Sequence, residues 1–275
     1  MQKVKPLKRF GQNYLHDKNI IKKIVREIDP KPDDIIMEIG PGHGALTEHI
    51  YGKTKVFIAI EIDKRVIDDL GSRFPNLTLI QSDFLKIDLR LLQNSEKKPI
   101  RIIGNIPYNI TSPIIFLAIN NSDLIEDMVF TVQEEVAKRM IAKKGTKDYG
   151  ILAVLLKYFS KTKLCFKVSP NAFFPKPKVT SAVVHIILKK LNSRMNEHQT
   201  FIKNEQRTFI NIVKASFGNR RKTLKNSLSN SIFREINFSG ADIDLSLRAE
   251  QLDVDDFIQL TKFACDQLNM SNSAF

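Results

Sequence analysis

The segment Asn105–Tyr108 places an amide, a proline and an aromatic ring directly after a short apolar run. If the Asn105 side-chain oxygen and the Pro107 main-chain carbonyl accept the two hydrogens of an exocyclic amine, the nitrogen lone pair is freed to attack an electrophilic methyl group. Tyr108 offers a face on which a flat base can stack, and catalysis then rests on orientation and electrostatics. The segment predicts methylation of an adenine-like amine, although Asn and Pro also occur in ordinary turns.

A glycine-rich turn, Glu38–Gly44, follows an earlier apolar run. Glycines let the backbone pass close to a ligand, and open α/β sheets bind ligands at the carboxyl ends of their strands. Glu61 ends the next strand, where a carboxylate can accept both hydroxyls of a ribose. Asp83 and Phe84 follow the third strand and can bind and cover an adenine. The glycine spacing differs from G-x-G-x-x-G, which disfavours a nucleotide-dependent dehydrogenase.

These strand ends belong to a pattern of apolar runs that alternate with helical periodicity. The pattern predicts a doubly wound, Rossmann-like α/β fold whose parallel sheet is covered on both faces. The predicted strands are Ile35–Ile39, Val56–Ile60, Leu77–Ile80, Ile100–Ile103, Met128–Val132, Leu164–Val168 and Ala182–Leu188. The predicted helices are Ala45–Tyr51, Lys64–Phe74, Ser112–Ile119, Gln133–Ala142 and Tyr149–Tyr158, after a first helix that begins at Asp17. The last two strands are expected to form an antiparallel pair.

After residue 189 the composition turns polar, which indicates a linker or an irregular start to a second unit. Beyond it, helical patterns cover Phe209–Phe217, Thr223–Leu228 and Asp253–Leu268. We therefore expect one α/β domain over residues 1–190 and a small, all-helical domain over residues 191–275.

Composition favours a polyanionic partner. The chain has 275 residues, of which 43% are apolar, and 43 Lys and Arg against 30 Asp and Glu give a net charge of +13. Eight of these basic residues lie in residues 1–26 and seven in residues 200–226. Clustered cations of this kind suit phosphate binding, because they release counterions from a nucleic acid.

Several classes are disfavoured by the same sequence. Its apolar content argues against global disorder, and no run reaches the ~18 apolar residues of a membrane helix. Cys165 and Cys265 stand far apart in apolar settings, without a disulfide or metal pattern. The histidines are scattered, so we expect no metal. The expected compartment is the reducing cytoplasm.

The loop Ala172–Val179 carries two phenylalanines, two prolines and two lysines in addition to these motifs. Prolines stiffen an extended loop, and an exposed aromatic on it can close on a flipped base. Lys176 and Lys178 can contact phosphates. For Phe174, however, the favoured interpretation is that its side chain caps the core.

Together the motifs resemble those of the ribosomal RNA adenine dimethyltransferases, which use S-adenosylmethionine to place two methyl groups on adenine N6. The resemblance covers residues 8–265. The matching segments occur in the family's order and are Phe10–Leu15, Glu38–Gly44, Glu61, Asp83, Asn105–Tyr108, Val132–Ala137 and Phe173–Val179.

The resemblance implies roles for individual residues. Gln12, Asn13 and Leu15 would border the methionine end of the cofactor above Gly40, and Phe173 would stack on the target adenine opposite Tyr108. The cofactor-binding residues expected are Gln12, Asn13, Leu15, Gly40, Gly42, Glu61, Ile62, Asp83, Phe84 and Asn105. The catalytic residues expected are Asn105, Pro107, Tyr108 and Phe173. The RNA-binding residues expected are Lys8, Arg9, Lys176, Lys178, Arg220, Arg221 and Lys222.

Two branches of enzymes share these motifs. Phe217–Asn226, Leu247–Leu252 and Ser181–Val184 are similar to the branch that modifies small-subunit rRNA during ribosome assembly (the KsgA type). Lys176 instead stands where the branch that modifies large-subunit RNA and confers macrolide resistance often has lysine. An assembly checkpoint that acts mainly by binding the immature small subunit is a further alternative. We expect a monomer.

Overall fold

The computed structural model describes residues 12–92, 98–190 and 203–272 of the chain. The chain divides into two compact units. The first comprises residues 1–137 and 160–189, and the second comprises residues 138–159 and 190–275. A boundary near residue 190 between two functional domains stays a prediction.

The first unit is built on a seven-stranded sheet with the strand order β4-β3-β2-β5-β6-β9-β7. Its strands are β2 (Ile35–Ile39), β3 (Val56–Glu61), β4 (Thr78–Gln81), β5 (Ile100–Asn105), β6 (Ile125–Gln133), β7 (Ser160–Val168) and β9 (Ser181–Leu188). The strands from β4 to β6 in that order run parallel, whereas β9 is antiparallel to both of its neighbours. The doubly wound fold and the antiparallel closing pair are confirmed.

Helices connect these strands, and the central strands are buried along their length because helices cover them. The helices are α1 (Lys18–Ile28), α2 (Thr47–Ile50), α3 (Lys64–Arg73), α4 (Thr111–Asn120) and α5 (Glu134–Met140). Helix α1 begins where the Asp17 carboxylate accepts hydrogen bonds from the main-chain N–H groups of Asn19 and Ile20. Its apolar face, Ile21, Ile24, Val25 and Ile28, is buried.

A separate two-stranded sheet joins the start of the described chain to the proline-rich loop. Strand β1 (Tyr14–Leu15) pairs antiparallel with β8 (Phe173–Phe174), and Tyr14 lies opposite Phe174 while Leu15 lies opposite Phe173. Alternation of side chains along a strand places Leu15 and Phe173 in the core. Pairing between segments so distant in sequence was not predicted.

A buried ionic network lies at the edge of the sheet where β5 and β6 begin and β9 ends. Arg101 donates two hydrogen bonds to the Asp127 carboxylate, at 2.8 and 2.7 Å, and a third to Asp34 at 2.7 Å. Nε2 of His185 lies 2.8 Å from Asp127 Oδ2. Burial acts to raise the pKa of Asp127, but its hydrogen bonds and attraction to Arg101 and His185 outweigh burial and lower that pKa.

The second unit is helical. Its helices are α6 (Ile151–Phe159), α7 (Lys203–Ser216), α8 (Leu224–Ser229) and α9 (Val254–Asn272). Aromatic rings form its core, with centroids 4.5 Å apart for Tyr158 and Phe209 and 5.8 Å apart for Phe217 and Phe257. No helix in the described part of the chain is long and apolar enough to cross a membrane.

Candidate active site

A cavity of about 230 Å³ opens at the carboxyl ends of β2, β3, β4 and β5 in the first unit. Ligands of open α/β sheets bind at this edge, so the cavity lies where the sheet topology predicts a site. Segments that were predicted separately meet around it. Its lining is formed by residues 12–14, 39–40, 42, 60–62, 82–85 and 105–110.

The glycine-rich turn forms one wall. Gly40 and Gly42 have left-handed backbone conformations, with φ of +65° and +53°. A Cβ atom at Gly40 would meet no described atom within 4 Å, so the backbone there borders open space. At Gly42 the added atom would lie 2.8 Å from the Tyr14 ring. The turn therefore leaves room for a ligand at Gly40, and the Tyr14 ring packs closely against the turn at Gly42.

Glu61 brings a carboxylate to the cavity wall at the end of β3. Its oxygens accept hydrogen bonds from the main-chain N–H groups of Ile62 at 2.9 Å, Asp63 at 3.0 Å and Gly42 at 3.4 Å. Burial raises the pKa of Glu61, in opposition to these hydrogen bonds. A fixed carboxylate that lacks full hydration is a strong acceptor for the hydroxyl groups of a ligand.

Tyr14 is a lining residue that sequence reasoning did not select. Among the described residues its hydroxyl group is buried and has no hydrogen-bond partner, and burial raises the pKa of Tyr14 to about 12. A buried hydroxyl without a partner is costly, so a polar ligand group at this wall would stabilise it. Its position between Asn13 and Leu15, both of which were selected, is the signal that could have identified it.

The end of β4 supplies the next wall. The Asp83 carboxylate caps a short 3₁₀ helix, Phe84–Lys86, by accepting a hydrogen bond from the Leu85 N–H group at 3.0 Å. Phe84 is buried, and both residues line the cavity together with Ile62. One polar and two apolar side chains at this position suit a flat heterocycle.

Asn105 lies at the end of β5 with its amide in a defined orientation. Its Nδ2 donates a hydrogen bond to the Asn13 main-chain oxygen at 2.7 Å. Its Oδ1 is therefore on the opposite side of the amide, where it can accept. The Pro107 carbonyl accepts one hydrogen bond from the Ile110 N–H group at 3.1 Å and keeps a second lone pair. Asn105 and Pro107 both line the cavity, and each retains the capacity to accept a hydrogen bond.

Tyr108 completes this wall. Its hydroxyl oxygen lies 2.8 Å from Ser181 Oγ, and burial raises the pKa of Tyr108. The phenol therefore stays neutral at physiological pH, and the hydrogen bond between its hydroxyl group and Ser181 holds the ring in place. Ser181, fully buried at the start of β9, is a second residue that sequence reasoning did not assign to the site.

Not every predicted residue reaches the cavity. Leu15 and Phe173 pack in the core, and the Phe173 side chain is only 3% exposed. The expectation that Phe174 caps the core is wrong, because Phe174 is 65% exposed. The two phenylalanines are neighbours on one strand and point to opposite faces, so the pairing with β1 buries Phe173 and exposes Phe174.

The predicted RNA-binding residues have different surroundings. Lys176 and Lys178 are exposed in the first unit, and Arg221 and Lys222 are exposed in the second. In the second unit, Arg220 donates hydrogen bonds to the carbonyl oxygens of Lys147 at 2.9 Å and Tyr149 at 2.6 Å. Its guanidinium group therefore has a structural role. Lys8 and Arg9 lie outside the described residues.

Glu38, the first residue of the glycine-rich motif, is fully buried beside this site. Its Oε2 accepts a hydrogen bond from Thr47 Oγ1 at 2.6 Å. Burial raises the pKa of Glu38 from 4.5 to about 8, with a further contribution from the charge of Glu61. Burial therefore favours the protonated form of this carboxyl group, which lies next in sequence to the cavity-lining Ile39.

The chain is also similar to known proteins over nearly its full length. Residues 4–266 match the family described as ribosomal RNA adenine dimethylase. The chain is 42% identical to the ribosomal RNA small subunit methyltransferase A of Francisella tularensis subsp. novicida, over 95% of this chain and 98% of the relative. It is similar in structure to a dimethyladenosine transferase from Plasmodium falciparum, with a TM-score of 0.72, 27% identity and coverage of 90% and 95% of the two chains. The 23S rRNA methyltransferase ErmE shares the fold, with a TM-score of 0.63, 24% identity and coverage of 92% and 100%.

Proposed function

This chain belongs to the ribosomal RNA adenine dimethylase family, and from that premise we propose that it dimethylates N6 of two adjacent adenosines in a 3′-terminal hairpin of small-subunit (16S) rRNA. When bound, S-adenosylmethionine supplies an electrophilic methyl group. The observation that carries the proposal is the hydrogen bond that orients the Asn105 amide.

The oriented amide makes the substrate amine nucleophilic. The nitrogen of adenine N6 is a poor nucleophile because its lone pair is delocalised into the ring. Asn105 Oδ1 and the second lone pair of the Pro107 carbonyl accept its two hydrogens, which favours a pyramidal nitrogen whose lone pair points out of the ring plane. The fixed acceptors need no reorganisation during the reaction, which is the condition for efficient electrostatic catalysis.

A strong base is not required. Once N6 carries the new methyl group it is an acidic ammonium, and it loses its proton to water. Burial raises the pKa of Tyr108, so this neighbouring phenol remains protonated and acts as a stacking surface. The neutral nitrogen can then return for a second methyl group.

The residues expected to bind the cofactor suit a nucleoside that carries a charged amino-acid chain. Glu61 can accept hydrogen bonds from the ribose hydroxyls, while Asp83, Phe84 and Ile62 surround the position of the base. Gly40 leaves the open space that the amino-acid chain of the cofactor needs. Gln12 and Asn13 would border the methionine end.

The target adenine must leave its stack to reach this cavity. Unstacking costs a few kcal/mol and is least unfavourable in a loop or hairpin end. Tyr108 forms one face of the base site and Ser181 holds its hydroxyl. The buried position of Phe173 does not support stacking in this conformation, so its predicted role as the opposite face stays a prediction.

We propose the immature small subunit as the partner and the cytoplasm as the compartment, with the enzyme acting as a monomer. Exposed Lys176, Lys178, Arg221 and Lys222 would contact phosphates, together with Lys8 and Arg9. Support comes from the name of the Francisella relative, which specifies the small subunit. Methylation of purified, unmodified small and large subunits side by side tests this choice, and modification of the large subunit alone would contradict it.

Asn105→Ala tests the mechanism. Loss of one preorganised polar group of this kind lowers kcat by about 10²–10³-fold. We expect that loss in methyl transfer to unmodified small subunits, with the dissociation constant of S-adenosylhomocysteine changed much less. Asn109→Ala, at another position in the cavity wall, is the matched control. Equal methyl transfer by the wild type and Asn105→Ala would contradict the mechanism.

A further inference from the structure

Phe174 is an aromatic side chain that the methyl-transfer site does not use. It is 65% exposed, whereas its neighbour Phe173 is 3% exposed. The pairing with β1 fixes this difference, because Tyr14 opposes Phe174 and Leu15 opposes Phe173. The aromatic ring of Phe174 is thus in contact with water. A polar residue at position 174 could occupy the same exposed face and would avoid that contact.

The segment that carries Phe174 is joined to the cavity at both ends. At one end, β8 pairs with β1, whose residue Tyr14 lines the cavity beside Asn13. At the other end, Ser181 contacts the hydroxyl group of Tyr108, which also lines the cavity. The two ends of residues 173–181 therefore contact residues that line the cavity.

The segment that carries Phe174 is basic in sequence. Residues 169–180 contain Lys176 and Lys178 and no Asp or Glu. Both lysines are exposed, as is Phe174. An exposed aromatic ring among lysines suits single-stranded nucleic acid, where bases stack on rings and phosphates meet cations.

We propose that Phe174 stacks on a nucleobase adjacent to the target adenine and that Lys176 and Lys178 contact the phosphates of that nucleotide. This inference rests on the proposed function, since it takes single-stranded RNA as the ligand. It assigns Phe174 a role separate from that predicted for Phe173, which concerns the target base itself. Stacking outside the cavity holds the strand in place while the target base is inserted.

Aromatic and aliphatic substitutions at position 174 separate stacking from simple apolar contact. Loss of one base–aromatic stack weakens binding by about 5- to 100-fold. We expect Phe174→Ala and Phe174→Leu to raise the KM for unmodified small subunits by such a factor. Phe174→Tyr and Phe174→Trp are expected to stay close to the wild type. Values of kcat and of the S-adenosylhomocysteine dissociation constant should not change, because Phe174 does not line the cavity.

The lysines are tested through salt dependence. Each of Lys176→Ala and Lys178→Ala should reduce by about one the slope of log affinity against log salt concentration, measured with the protein-free rRNA hairpin. Lys161→Ala removes an exposed lysine from β7 in the same unit and should leave the slope unchanged.

Two outcomes would overturn the proposal. Phe174→Leu as effective as the wild type would exclude stacking, and weaker binding to assembled subunits with unchanged binding to protein-free rRNA would identify a protein partner. Affinity for the rRNA hairpin is measured with S-adenosylhomocysteine present and without methyl transfer. A wild-type protein that binds the hairpin through Phe174 but does not methylate unmodified small subunits would refute the proposed function while it upheld this inference.

Discussion

Buried carboxyl groups have different hydrogen-bond partners at the two edges of the central sheet, that is, at the carboxyl ends and at the amino ends of its parallel strands. At the carboxyl ends of the parallel strands, Glu38 and Glu61 receive their hydrogen bonds from uncharged donors in the described part of the chain. At the opposite edge, the Arg101 guanidinium neutralises Asp127, and Nε2 of His185 lies 2.8 Å from the same carboxylate. The pKa of each glutamate is raised by burial, whereas the pKa of Asp127 is lowered because its hydrogen bonds and the charge of Arg101 outweigh burial.

The difference separates a structural site from a ligand site. A buried ion pair whose members satisfy each other needs nothing further, and removing one member leaves an uncompensated charge. The carboxylate of Glu61 is desolvated but has no cationic partner among the residues that the structure describes, so it retains capacity for donors from outside the chain. Substitution of Arg101 should therefore act on the free energy of unfolding, and substitution of Glu61 should act on ligand affinity.

The largest effect is expected from Arg101→Met. It leaves the buried Asp127 and the partly buried Asp34 without their guanidinium partner, and breaking such a network costs about 3–5 kcal/mol of unfolding free energy. Urea denaturation measures the change. Arg90→Met is the matched control, because Arg90 pairs with Asp123 at an exposed position and its loss should cost less than about 1 kcal/mol. Equal losses in the two variants would remove the structural distinction between the edges.

Glu61→Gln should act on ligand affinity instead. Hydrogen bonds to a charged acceptor contribute about 1.5–3 kcal/mol, so we expect the dissociation constant of S-adenosylhomocysteine to rise by about 10- to 100-fold. Isothermal titration calorimetry measures it, and urea denaturation should show little loss of stability because no buried cation is left behind. Glu48→Gln, at an exposed site on α2, controls for the change in net charge. A variant that unfolds more easily yet binds normally would assign Glu61 to the structural class.

The effect at Glu38 depends on pH, and per pH unit it is the smallest of the three. Burial raises its pKa from 4.5 to about 8, so the folded protein keeps a proton that the unfolded chain has lost. The unfolding free energy contributed by this group therefore falls as pH rises through that window, by up to about 1.4 kcal/mol per pH unit. Glu38→Gln should flatten the fall measured by urea denaturation between about pH 5 and pH 7.5, where Asp127 stays ionised in both variants. Parallel curves for the two proteins would show that Glu38 is not protonated in the fold.

Apolar periodicity predicted the strands whose ends carry Glu61, Asp83 and Asn105, because burial on both faces leaves a continuous apolar run. Pairing between strands that are distant in sequence, such as β1 and β8, could not be predicted from local patterns. Nothing local to Phe173-Phe174 indicates which ring is buried, since the partner strand β1 is far away in sequence. For the same reason the hydrogen bonds that Arg220 donates to two carbonyl oxygens in its own unit were not predicted, and its assignment to RNA stays a prediction.

The hydrogen bond between Asn105 and residue 13 has an evolutionary consequence. The acceptor is a main-chain oxygen, which every amino acid carries, so the side chain at position 13 can be exchanged without deleting it. If the Asn105 amide were flipped, its NH₂ group would face the N–H groups of the substrate amine, and no hydrogen bond could form between them. A substitution at position 13 therefore leaves the orientation of the Asn105 amide unchanged unless it moves the backbone of the Gln12–Tyr14 segment.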